Sequence, residues 1–184
     1  MKVTMNIMII KNFLKVHNII PMNLYTTEEV DRINKAKETN DKLEEFFADK
    51  RDEWNKNIQP LYEVLKSDFN ATNSKKIMEM QANALSYRQI ISEQISFFLN
   101  KRSKEEVKLK KIKQDKFVFY ATGAGLKTNM GEKNILIDGH IGENERNMQL
   151  IDVHIEFLRS CSKNLESLGY TIKNIIELMN YLGR

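Results

Sequence analysis

The 184-residue sequence predicts an all-α protein built from long helices, and three observations carry that prediction. Glycine occurs seven times and never before Gly123. Proline occurs only at Pro21 and Pro60. Apolar residues recur at steps of three and four through most of the chain, the period of a helix with one buried face. Breakers this scarce argue against a sheet of many turns. At 41% apolar and 29% charged, the composition is that of a folded helical protein rather than a disordered chain.

The opening MKVTMNIMIIKNFLKVHNIIPM holds a short apolar patch interrupted by Asn6 and Lys11, and no small-residue cleavage site follows it. Residues 1–22 are therefore expected to be a flexible segment, or an alternative start with Met22 as the true one. Thr26-Thr27-Glu28-Glu29 has capping-box form. Beyond it Val30, Ile33, Leu43, Phe47, Trp54 and Ile58 recur at helical intervals, which predicts a helix over 27–58. Pro60 should interrupt it, since proline lacks the N–H that a helix interior needs, and a short helix over 61–68 should follow. DFNATNSKK has no apolar period and reads as a turn, with Asn73 or Ser74 able to cap what comes next. On this reading residues 1–60 are an N-terminal extension of a helical domain at 61–184.

Between Lys75 and Tyr120 there is neither glycine nor proline, and Ile77, Met80, Ala84, Tyr87, Ile91, Ile95 and Phe98 form one apolar stripe. After Asn100 the stripe thins to Val107, Leu109 and Ile112 while lysines crowd in. Residues 121–144 contain five of the seven glycines and read as a loop, with a brief Ile135-Leu136-Ile137 and a turn at Asp138-Gly139. Met148, Ile151, Ile155, Leu158, Ser162, Leu165 and Leu168 then step like a heptad seam. Gly169 suits the residue just past a helix end, and a last helix carries Ile172, Ile175, Met179 and Leu182. Two such helices cannot build a core unaided. The C-terminal helical pair is expected to serve homo-oligomerisation through Ile151, Ile155, Leu158, Ile172, Ile175 and Met179, some of which must pack the two helices on each other.

Chemistry of the catalytic kind has no visible residues, so the chain reads as a non-enzyme with no cofactor and no metal. His17, His140 and His154 lie far apart, and no His or Cys pair has ligand spacing. Gly123-Ala124-Gly125-Leu126-Lys127-Thr128 imitates a phosphate-binding loop, but Leu126 stands where glycine must precede the lysine, and a basic helix stands where a strand should. Cys161 is the single cysteine, which fits a reducing compartment, and no apolar run approaches a membrane span. A cytoplasmic location is the expectation.

The positive signal is charge placement. Residues 101–127 hold nine basic groups against three acidic ones, a local +6 on a chain whose net charge is +4. The remainder therefore carries −2. Lys108, Lys110, Lys111, Lys113 and Lys116 run directly into Phe117, Phe119 and Tyr120. Lysines neutralise phosphates and release counterions, and aromatic faces are what unpaired bases stack on. Nothing resembles a duplex-reading helix, so the segment is expected to hold single-stranded nucleic acid. The ordinary alternative is that the lysines are the wet face of a helix and that Phe117 packs in a core. The candidate contacts are those five lysines, Phe119, Tyr120 and Lys127, with Gly123 and Gly125 letting the backbone turn beside the strand.

The stretch IEFLRSCSKNLESLGYTIKNIIELMNYL resembles the C-terminal pattern of the UvsY family of phage recombination mediator proteins. Glu156-Phe157, Leu165, Ser167-Leu168-Gly169-Tyr170 and Ile172-Lys173 carry the likeness, with Leu168 where the family has arginine. Tyr120-Ala121-Thr122-Gly123 is similar to the family's Tyr-Tyr-Ser/Thr-Gly after a basic helix. The likeness covers Ile135 through Leu182 and extends more loosely back to Leu61; residues 1–60 look like an extension that the family need not have. The family's Leu-Lys-x-Arg has no exact copy here: its arginine falls on Lys116 or Phe117 and its lysine on Gln114 or Asp115. The DNA-contact role carries over to Lys116 alone. The resemblance implies a mostly helical subunit of a ring-like homo-oligomer that binds single-stranded DNA. It further implies help in loading a RecA-type phage recombinase, of the UvsX type, onto DNA covered by phage single-strand-binding protein. A non-catalytic oligomeric scaffold or assembly protein is the alternative.

Overall fold

A computed structural model describes residues 27–66, 74–123 and 129–181. The expectations for residues 1–22, the Thr26 cap, the part of the 68–76 turn before Ser74, Gly125, Lys127 and Leu182 lie outside the described residues, and Ser74 to Lys76 of that turn are already helical. Three long helices account for nearly all of what is described: α1 over Thr27–Val64, α2 over Ser74–Val118 and α3 over Met130–Tyr181. A π-helical turn, Phe119–Gly123, closes α2. There is no strand among the described residues, and the all-α expectation holds.

Three expected breaks are absent. Pro60 sits inside α1 rather than ending it. Its ring is solvent-exposed, while Ile58 and Leu61 on either side are buried, so packing carries the helix past one missing hydrogen bond. Of the loop foreseen over 121–144, residues 121–123 lie in the π-helical turn and residues 130–144 are helical, because α3 already begins at Met130. Asn129 and Glu132 make that start. The Glu132 N–H donates to Asn129 Oδ1 at 2.9 Å, and the Asn129 N–H donates to Glu132 Oε2 at 3.0 Å, a reciprocal capping box. Gly169, expected to stop a helix, lies within α3 with open space around the position of a Cβ. Leu165, Leu168 and Ile172 are buried around it, so the expected C-terminal helical pair is one continuous helix.

The chain forms two compact units, and neither follows the expected boundary at residue 60. Among the described residues, one unit draws on 27–43 and Arg102–Leu150, the other on residues 44–66, 74–101 and 151–181. Helix α1 thus contributes to both and is no appendage.

In the first unit Leu109 and Tyr120 are buried with Leu136, Ile137 and Ile141, and Ile112 and Met148 pack against them. A polar layer crosses the same unit. Asn40, 1% exposed, donates through Nδ2 to the Glu143 carbonyl at 2.7 Å and to Glu143 Oε2 at 3.0 Å, and Asn147 Nδ2 donates to Asn40 Oδ1 at 2.9 Å. Arg146 adds an ion pair to Asp41 at 2.8 Å.

The second unit is aromatic at its centre. Phe47 stacks on His154 with ring centroids 4.3 Å apart, and Phe98 meets both edge-on. The Trp54 indole N–H donates to Gln94 Oε1 at 3.0 Å. The stripe Ile77, Met80, Ala84, Ile91 and Phe98 is buried as its period requires.

Candidate nucleic-acid interface

The second half of α2 belongs to the first unit, and its side chains divide by helical position. Leu109 and Ile112 turn to the core. Steps of three and four place Lys101, Lys104, Lys108 and Lys111 on one ridge, of which the last three are exposed. Val107 and Val118 are exposed beside them.

The five lysines singled out by sequence do not share one environment. Lys111 has no carboxylate partner among the described residues, and neither do Lys101 and Lys104. Lys108 pairs with Glu105 at 2.7 Å and Lys110 with Glu106 at 3.0 Å, both within α2 and solvent-exposed on the lysine side. The hydrogen bond from Lys110 and then its charge hold the Glu106 carboxyl below its ordinary value. Solvent-exposed pairs of this kind are weak, so an anion can displace the carboxylate at small cost. Lys113 reaches Glu145 of α3 at 3.0 Å.

Lys116 differs from the rest. Its ammonium pairs with Glu29 of α1, and both side chains are three-quarters buried. The same ammonium lies 5.7 Å from the Phe119 ring centroid. The residue given the firmest contact role by family likeness is committed to holding α1 against α2.

The two candidate aromatics also part ways. Phe119 is 46% exposed, whereas Tyr120 is 2% exposed. The Tyr120 hydroxyl lies 2.7 Å from His140 Nε2. Desolvation, with the charge of Lys116 adding to it, lowers the His140 pKa to about 4, which keeps the ring neutral at physiological pH. Tyr120 is therefore a core residue and has no free face for a base, a correction to its expected role. Phe119 leaves a ring face open to solvent. The π-helical turn divides the two rings, one outward and one inward, and Thr122 Oγ1 bonds back to the Val118 carbonyl at 2.8 Å. Gly123 falls in that turn, and Lys127 lies outside the described residues.

Of the six residues expected at a subunit interface, Ile151, Ile155, Leu158 and Ile172 are 0–2% exposed within the chain's own second unit. Their apolar stepping serves the subunit's core. Ile175 and Met179 are half-buried near the exposed Leu178 and Tyr181. No group of His, Cys, Asp and Glu among the described residues is arranged to hold a metal ion, and no described helix is long and apolar enough to cross a membrane.

Sequence reasoning missed a cleft of about 540 Å³ beside the lysine segment. Gln114, Phe117 and Val118 of α2 line it with Asn134, Ile137 and Asp138 of α3, and Lys113 stands at its edge. Its α3 wall fell within the expected loop, so no periodicity argument could have placed those residues opposite α2. No family model, curated protein or solved structure matches this chain.

Proposed function

We propose that the chain is a non-enzymatic, single-stranded DNA-binding recombination mediator that works as a homo-oligomer. It would help load a RecA-type phage recombinase onto DNA covered by single-strand-binding protein. The observation that carries the reading is the outward ridge of Lys104, Lys108 and Lys111, bordered along α2 by Lys110 and followed by the exposed Phe119. Solvent-exposed ammonium groups followed along the helix by an exposed aromatic face suit a flexible strand whose bases are unpaired. The likeness of Tyr120–Gly123 and of residues 135–182 to the mediator family supplies the recombination context.

Since the four most buried interface candidates belong to the subunit core, a second copy would have to meet other groups. Exposed apolar residues of the second unit are available for it, among them Met78, Leu85, Ile90 and Phe97 of α2 and Leu178 and Tyr181 of α3. Those same residues favour the alternative reading, an oligomeric assembly scaffold without DNA. Fluorescence anisotropy with labelled single-stranded and duplex oligonucleotides separates the two. A mediator binds the single strand more tightly than the duplex, and added salt weakens it. A scaffold scatters light as an oligomer and binds neither.

A further inference from the structure

We infer that the cleft between the end of α2 and the start of α3 is a pocket for one nucleobase of the bound single strand, a proposal that rests on the DNA-binding reading above. Its walls are apolar: Phe117 is 40% and Val118 58% exposed, while Ile137 closes it from the core side. Exposed aromatic and branched groups at a cleft are costly in water and give a flat ring something to lie against. At about 540 Å³ the space exceeds one base and leaves room for its sugar.

Lys113 of the cleft is paired with Glu145 at 3.0 Å, but its three other polar side chains are unspent among the described residues. Gln114, Asn134 and Asp138 make no side-chain hydrogen bond or ion pair to other described residues. Two amides can each donate and accept, and a carboxylate only accepts. Such a set reads a base edge rather than a phosphate, which Asp138 would repel. The phosphate has its own partner close by, since Lys110 precedes Gln114 by one helical turn and Phe117 by two on the same side of α2. The strand's charge thus meets Lys110, on the cleft side of α2 and next to the lysine ridge, while a base turns into the cleft.

Asp138 gives the pocket a preference. Cytosine presents an exocyclic amino group where thymine presents a carbonyl oxygen, and a carboxylate accepts from the first and repels the second. Oligo(dC) is therefore bound more tightly than oligo(dT), by roughly fivefold, the low end for a specific contact because the cleft is open to water.

The test compares labelled oligo(dC), oligo(dT) and an abasic strand of equal length over a range of salt. The expected order is dC, then dT, then abasic, with one salt slope for all three. Asp138→Asn should abolish the dC preference and leave the slope unchanged. Phe117→Ala should weaken dC and dT binding but not abasic binding. Circular dichroism reports whether Phe117→Ala still folds, and the exposed Asp138 decides the matter if it does not. Salt-dependent binding that is equal for all three strands and indifferent to both variants overturns the pocket and leaves the lysine interface standing. Absence of binding to any strand overturns both.

Discussion

His154 shows how a single side chain sets a property of the whole. It is 1% exposed, stacked on Phe47, with its Nδ1 buried and without a hydrogen-bond partner among the described residues. Burial, and secondarily the charge of Arg51, lowers its pKa to about 4, whereas the unfolded chain titrates near the ordinary 6.5. Between those values the unfolded state binds a proton that the folded state refuses, so stability is complete above about pH 6.5 and falls as pH drops toward 4. For a group this buried the loss is on the order of 2 kcal/mol. His140 titrates in the same direction and window. Replacing His154 with Phe should flatten much of the acid arm, seen as a smaller difference in melting temperature between pH 4.5 and pH 7.5. An unchanged difference would place the acid sensitivity elsewhere. Lys116 yields a prediction of the opposite kind to its neighbours. Lys116→Ala removes the pairing of two three-quarters-buried side chains that joins α1 to α2, and should lower stability by about 1 kcal/mol in denaturant unfolding. Lys111→Ala should leave the denaturation midpoint where it is.

At the scale of the helix, Gly169 decides between two architectures. If a helix stopped there in a left-handed turn, Gly169→Ala would strain the backbone and destabilise. In a continuous α3, with nothing within 4 Å of a new Cβ, the same change should stabilise by about 0.5–1 kcal/mol. The midpoint of thermal unfolding gives the sign. Asn129→Ala should destabilise by about 1 kcal/mol through loss of the cap of α3. These two residues also show what was legible and what was not. Buried stripes such as Ile77 to Phe98 could be read directly, because one apolar face per helix is written at fixed steps. Glycines and prolines misled, because their local cost is about 1–3 kcal/mol and burial of Leu136, Ile137, Leu168 or Leu61 nearby outweighs it. The Asn129-x-x-Glu132 spacing was present in the sequence and marks the true start of α3. The partner of a lysine was not legible, since Glu29 lies 87 residues from Lys116. Periodicity likewise cannot tell a heptad seam facing a second chain from one facing the same chain, which is why Ile151, Ile155 and Leu158 misdirected the expected interface.

For the molecule as a whole, function is argued from an imbalance of charge. A local +6 over residues 101–127 stands on a chain that otherwise carries −2, and the structure divides that patch into an outward ridge and two lysines tied to other helices. Counterion release makes the ridge's role measurable, because each neutralised phosphate of a single strand contributes roughly 0.7 to the slope of log affinity against log salt. In an oligomer every subunit repeats the ridge, so small losses per site multiply along one strand. The most direct measurement is therefore the salt dependence of single-stranded DNA binding by the parent and by a variant with Lys104, Lys108 and Lys111 all changed to alanine. The account predicts weaker binding to every sequence and a slope lower by roughly 0.7 for each lysine that meets a phosphate, with the fold intact. Parental affinity and parental slope in the triple variant would contradict it, and would leave the ridge as the wet face of a helix.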